Sequence, residues 1–132
     1  ISLPYEKDPK AVARIIASCD AFVHANDKEP FGLIVLEAMA CGRPVVGVNA
    51  GGVAETVDSS VGQLARSADP ADYAEAVEAL FARDIEALGQ AARVKMVEQF
   101  AWNRVFEDLS MLYGELSGRP EFVMPQEVAP LN

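Results

Sequence analysis

The sequence predicts an α/β fold: a three-layer, Rossmann-like partial domain built on a short parallel sheet. Three observations predict it. Apolar runs at Ala21–Ala25, Pro44–Val48 and, more weakly, Val61–Ala65 alternate with longer segments of helical periodicity. The middle run, Val45-Val46-Gly47-Val48, is apolar at every position, as a strand covered on both faces must be. Asp8-Pro9 and Asp69-Pro70 each place a capping carboxylate ahead of a proline suited to a first helical position.

After Asp8-Pro9, residues Val12, Ile15, Ile16 and Cys19 recur at helical spacing. Ala21–Ala25 suits a buried strand. A helix from Gly32 to Ala40 follows, ended by Gly42 and stopped by Pro44. A Gly51-Gly52 loop leads from the second strand into a short helix near Val53 to Val57. Beyond Asp69-Pro70, the side chains Tyr73, Val77, Leu80 and Phe81 form an amphipathic stripe. Further helices are expected over Asp84–Gln99 and Trp102–Leu116, the latter with Val105, Leu109, Leu112 and Tyr113 on one face. Residues 1–116 read as a partial ligand-binding domain. Residues 117–132, with Pro120, Pro125 and Pro130, read as an extended or disordered tail.

The chain has 132 residues, enough for one modest core, and 51% of them are apolar. Its net charge of −9 disfavours nucleic acid, whose affinity comes mainly from neutralised phosphates. It also disfavours docking on an anionic membrane surface. Cys19 and Cys41 fall in expected helices, without Cys-x-x-Cys spacing or a His cluster, and read as reduced, packed thiols of a cytosolic protein. No metal-ligand cluster and no nucleophile–base pair is visible. No apolar run matches a membrane span, and no signal peptide opens the chain. It begins with Ile rather than Met, which reads as an excised piece or processed product.

The densest signal is Glu29-Pro30-Phe31-Gly32-Leu33-Ile34-Val35-Leu36-Glu37. The amides of Phe31, Gly32 and Leu33 lie at a helix start, where unpaired N–H groups suit a phosphate. Gly32 allows a ligand close to the backbone. Glu29 precedes the helix, and Glu37 lies about 7–8 Å along its axis. The run around Glu37 is apolar on all sides, so Glu37 reads as a buried carboxylate in need of a partner. Carboxylates suit sugar hydroxyls, because they accept two hydrogen bonds at once.

Each residue also has a plainer reading. Glu29 alone could serve the helix dipole, and Gly51-Gly52 could be a turn pair. His24 could be an ordinary structural histidine. Placed at the carboxyl edge of the sheet, Gly51-Gly52 could instead line a ligand site. His24 and Asn26 could touch the ligand.

The string from Glu29 to Val46, followed by Gly51-Gly52-Val53-Ala54-Glu55, closely resembles the donor-binding signature of family 4 (group 1) glycosyltransferases. The likeness runs from about Ala17 to the region of Tyr113. It implies a retaining enzyme of the GT-B fold that uses a nucleotide-sugar as substrate and needs no further cofactor. The chain would be the C-terminal part of the donor domain. The acceptor domain, and an Arg and a Lys for the leaving diphosphate, would lie upstream. Arg14, Lys7, Lys10 and Lys28 do not sit in that motif. The resemblance implies that Glu29 meets hydroxyls of the transferred sugar and is the catalytic carboxylate. It implies that Glu37 meets the ribose, with Phe31, Gly32 and Leu33 at the diphosphate. The family's usual aliphatic-Pro-Ser is replaced by His24-Ala25-Asn26, which leaves the sugar open.

The expected partners are thus the nucleotide-sugar and the missing domain. The expected location is cytoplasmic, or at a membrane through the missing part. Half a sheet also leaves an unpaired edge open to self-association. The alternatives are a non-catalytic nucleotide-sugar-binding or interaction module, or a related GT-B epimerase or phosphorylase. A dinucleotide oxidoreductase would need Gly-x-Gly-x-x-Gly after a strand, which is lacking. A receiver domain would need an acidic pair after its first strand.

Overall fold

The computed structural model describes residues 2–118. They fall into two compact units, divided between Met96 and Val97. Of the expected tail, Ser117 instead closes the last helix, and everything after Gly118 lies outside the described residues.

The first unit carries α1 (Pro9–Ala17), β1 (Phe22–His24), α2 (Leu33–Ala40), β2 (Val45–Val48), α3 (Gly51–Thr56), β3 (Gly62–Ala65), α4 (Pro70–Phe81) and most of α5 (Ile85–Gln99). The sheet order is β1-β2-β3, and both pairings are parallel. Phe22 faces Val45, and Val45 in turn faces Gly62. The three strands anticipated from the sequence are these three. Both crossovers move the same way along the sheet, so α2 and α3 fall on one face, as right-handed connections require.

Alternate residues of β2 enter two cores. Val45 packs with Ile16, Val35, Met39, Val53 and Val57. Val46 packs with Ala76, Leu80 and Leu88 on the other face. Helices thus cover both faces of β2, which makes three layers. Gly47 is needed there, since a Cβ would collide with Val53 Cγ1. β1 differs from the expected buried strand: Val23 is 51% exposed, while Val46 beside it is fully buried. As an edge strand, β1 has a helical cover on only one of its faces.

The helix ends follow the capping chemistry. Asp8 Oδ1 accepts from the Lys10 N–H at 3.0 Å, and Asp69 Oδ1 accepts from the Ala71 N–H at 2.8 Å. Helix α2 ends in a Schellman motif, with Gly42 at φ 72°. The Gly42 N–H donates to Met39 O and the Arg43 N–H to Ala38 O. Arg93 of α5 donates to the carbonyl of Ala40 at the end of α2. Lys95 Nζ donates to Thr56 O at 2.8 Å, at the end of α3, and pairs with Asp58 Oδ2 at 2.6 Å. Gly89 lets α5 approach, because a Cβ there would run into Gly42 O.

Two details differ from expectation. Cys19 lies just past α1 and is exposed rather than packed, because α1 buries only Ile16. Cys41 is half-buried at the cap of α2. Helix α3 begins at Gly51, two residues earlier than expected, with Ala50 as its N-cap.

The second unit holds the end of α5 and α6 (Trp102–Ser117). Trp102 stacks on Phe106 at 5.5 Å, and Arg104 pairs with Asp108 at 3.0 Å. The anticipated stripe of Val105, Leu109, Leu112 and Tyr113 is exposed. Among the described residues, no helix is long and apolar enough to cross a membrane.

Candidate functional site

Parallel strands followed by helices bring helix N-termini to the carboxyl edge of the sheet. At this edge α2 follows β1 and α3 follows β2. The two helix starts meet there. The Gly52 N–H donates to Glu29 O at 3.0 Å. A Cβ on Gly51 would collide with Glu29 O, and one on Gly52 would stand 2.6 Å from both Pro30 O and Phe31 Cα. Gly51 also has φ +55°, in the left-handed region that favours glycine. Both glycines are thus accounted for by the loop that carries Glu29. Thr56, buried, fixes the turn by donating its hydroxyl to Gly52 O at 2.9 Å. Sequence reading missed Thr56 and Pro30, since neither carries a pattern that marks a contact between two loops.

Gly32 is the N-cap of α2, at φ 88° and ψ 46°. Glycine suits that backbone, and it has no side chain with which to cap. Glu29 caps in its place, and its Oε1 accepts from the Gly32 N–H at 3.1 Å. Its Oε2 accepts from Asn26 Nδ2 at 3.3 Å. His24 Nε2 stands 3.5 Å from the same oxygen, buried and without a hydrogen-bond partner. Asn26 is held in turn, because its Oδ1 accepts from the Lys28 N–H at 3.0 Å. Three residues that the sequence singled out separately, His24, Asn26 and Glu29, therefore form one cluster around one carboxylate.

Phe31 and Leu33 flank this cluster, and their side chains are exposed. Gly32 between them is buried. Helix α2 begins at Leu33, with the anion-favouring end of its dipole beside Glu29. The placement of Glu37 corrects the sequence reading. Glu37 is exposed, not buried. Val35, Leu36, Ala38 and Met39 form the buried side of α2, and Glu37 lies one turn beyond Leu33 on the open side. Its carboxylate therefore needs no partner for stability and is open to solvent. Among the described residues, no group of three or more His, Cys, Asp or Glu side chains could hold a metal ion.

Comparison with known proteins gives this arrangement a family. A D-inositol 3-phosphate glycosyltransferase of Geodermatophilus obscurus is 41% identical over 97 residues, covering 73% of this chain and 21% of that protein. An N-acetyl-alpha-D-glucosaminyl L-malate synthase of Bacillus anthracis is 32% identical over 105 residues, covering 77% of this chain and 28% of that protein. Among solved structures, the sucrose-phosphate synthase of Thermosynechococcus elongatus superposes with a TM-score of 0.75 at 30% identity. That match covers 86% of this chain and 29% of the synthase. The chain thus spans less than a third of the length of each of these proteins. The family model of glycosyl transferases group 1 matches residues 2–99, the Glu29 cluster included, and the chain belongs to that family.

Proposed function

We propose that this chain is the C-terminal part of the donor-binding domain of a longer, retaining glycosyltransferase of family 4 and GT-B architecture. In this reading the parent transfers a sugar from a UDP- or GDP-linked donor to an acceptor. The observation that carries it is the held carboxylate of Glu29, fixed by Gly32 and Asn26 at the start of α2, with the Gly51-Gly52 turn against its backbone.

A nucleotide-sugar asks for three kinds of group. The diphosphate takes the amides of Phe31 and Leu33 at the start of α2, on either side of Gly32, whose own N–H is held by Glu29. Glu29 accepts from a hydroxyl of the transferred sugar. Glu37, solvent-facing on α2, accepts from the ribose. The two carboxylates then flank the diphosphate on either side. In the transfer, the bond from the anomeric carbon to the diphosphate breaks and a bond to the acceptor oxygen forms on the same face. The acceptor's proton passes to the departing phosphate. The protein contributes positioning and electrostatic stabilisation. The cationic groups for the diphosphate belong to the upstream part of the parent, so this chain alone does not turn over.

The test has two arms. In the parent, Glu29→Ala is expected to lower kcat severely, and Glu37→Ala to raise KM for the donor with a smaller effect on kcat. For the isolated chain, calorimetric titration with UDP and GDP is expected to give millimolar binding, about −4 kcal/mol. Wild-type kinetics for both variants would refute the assignment of the carboxylates. Sugar transfer by the 132-residue chain itself would refute its reading as a half-domain.

A further inference from the structure

His24 Nε2 is a buried polar atom without a hydrogen-bond partner, and the side chain is only 15% exposed. Leaving such an atom unpaired costs free energy of the order of a lost hydrogen bond. The group it faces is the Oε2 atom of Glu29, 3.5 Å away. A neutral imidazole can carry its proton on either nitrogen. With the proton on Nδ1, the Nε2 lone pair would face a carboxylate oxygen, acceptor against acceptor. With the proton on Nε2, that oxygen is the acceptor the N–H has in reach, at a distance still longer than a formed hydrogen bond.

The ring has an aromatic neighbour. It stacks on Phe22, two residues earlier on the same side of β1, with ring planes 17° apart. Across the sheet His24 is paired with Gly47, where Val53 leaves no room for a side chain.

We propose that His24 is a positioning residue that donates from Nε2 to Oε2 of Glu29 and thereby sets the direction of that carboxylate. The inference rests on the proposed role of Glu29 at the transferred sugar. A carboxylate has about four lone-pair sites. Gly32 takes one on Oε1, and Asn26 and His24 take those on Oε2. One site on Oε1 is left for the ligand. Glu29 so held grips a single hydroxyl in a fixed direction. Without His24, Oε2 has an acceptor site open to a competing donor, and the carboxylate is held by Gly32 and Asn26 alone. At 3.5 Å the contact is long, as catalytic hydrogen bonds in ligand-free sites commonly are. His24 and Asn26 then act on the donor through Glu29 and do not touch it.

His24 is the only histidine of the chain, so nitrogen NMR of the imidazole reports on it alone. The expected spectrum of the neutral ring is that of the Nε2–H tautomer, with the preference lost in Glu29→Ala. An Nδ1–H tautomer in the wild-type chain, or a tautomer indifferent to Glu29→Ala, overturns the proposal. In the full-length parent, His24→Leu is expected to lower kcat about tenfold or more with KM within about twofold. His24→Gln, whose side-chain amide can donate to the same oxygen, restores most of the rate. A Gln variant as slow as the Leu variant overturns the proposal as well. The tautomer is read without turnover. A wrong tautomer therefore sinks this inference alone, while full activity of Glu29→Ala sinks the functional reading beneath it.

Discussion

The backbone N–H of Gly52 donates to the carbonyl oxygen of Glu29, 3.0 Å away. One hydrogen bond joins the first turn of α3 to the loop ahead of α2, and two neighbouring glycines make the approach possible. The two sides of the candidate site are thus one packed unit.

Gly52→Ala tests this packing. The added methyl would meet Pro30 O and Phe31 Cα at 2.6 Å, and both are backbone atoms that cannot rotate aside. The expected loss is about 1–3 kcal/mol, read as a lower urea midpoint of the chain. An unchanged midpoint would mean that the loop yields freely and that the glycine serves something else.

The two glutamates should separate cleanly in stability. Glu29 caps α2, so Glu29→Ala should cost about 1 kcal/mol. Glu37 is exposed, so Glu37→Ala should stay within about 0.5 kcal/mol of wild type. Thermal melts of the two variants decide it. A large loss at Glu37 would return it to the buried role that its apolar neighbours first indicated.

Acid should weaken the clasp between α5 and the loop after α3. The hydrogen bond from Lys95, with help from Ser60, holds the carboxyl of Asp58 down at about 2, against 3.8 ordinarily. Lowered in the folded state, Asp58 contributes stability that is fully present above about pH 4 and lost as the pH falls through 2. Asp58 is about half exposed, so solvent screening reduces this contribution to about 1 kcal/mol. Lys95→Met should shrink the fall in stability between pH 4 and pH 2. Parallel acid curves for the variant and the wild type would count against the clasp.

Two valines side by side on the sheet should behave differently. Val46→Thr buries a hydroxyl at a fully covered position and should cost about 1–3 kcal/mol. Val23→Thr sits at a half-open edge and should cost less than about 0.5 kcal/mol. Equal losses in urea titrations would show that β1 is covered after all.

Much of the fold was legible because the signals were local. Asp8-Pro9 and Asp69-Pro70 cap helices through their own side chains, within two residues. Gly42 ends α2 by a backbone conformation that few other residues adopt. β2 announced its double burial because both of its faces are apolar. Residues around the candidate site were legible as a string of types, not as a geometry. Glu37 was misplaced because exposed Leu33 and Phe31 are as apolar as buried Leu36 and Met39, so composition gave no contrast between the sides of α2. Val23 was misplaced because its exposure depends on sheet order, which no local pattern records. The joining of His24 to Glu29, and of Gly52 to Phe31, depends on loop closure between separate elements.

Helix α5 holds the far ends of both helices that open at the candidate site. Arg93 bonds the last turn of α2, and Lys95 bonds the last turn of α3. Each places a cation where helix carbonyls concentrate negative charge. The far ends of the two helices are therefore tied to one and the same helix. Amide exchange at Leu36 and Ala54, whose N–H groups donate to Gly32 O and Ala50 O at the open ends, should accelerate in step when Arg93 and Lys95 are both neutralised. Side chains far from the candidate site thus bear on the helices whose starts form it.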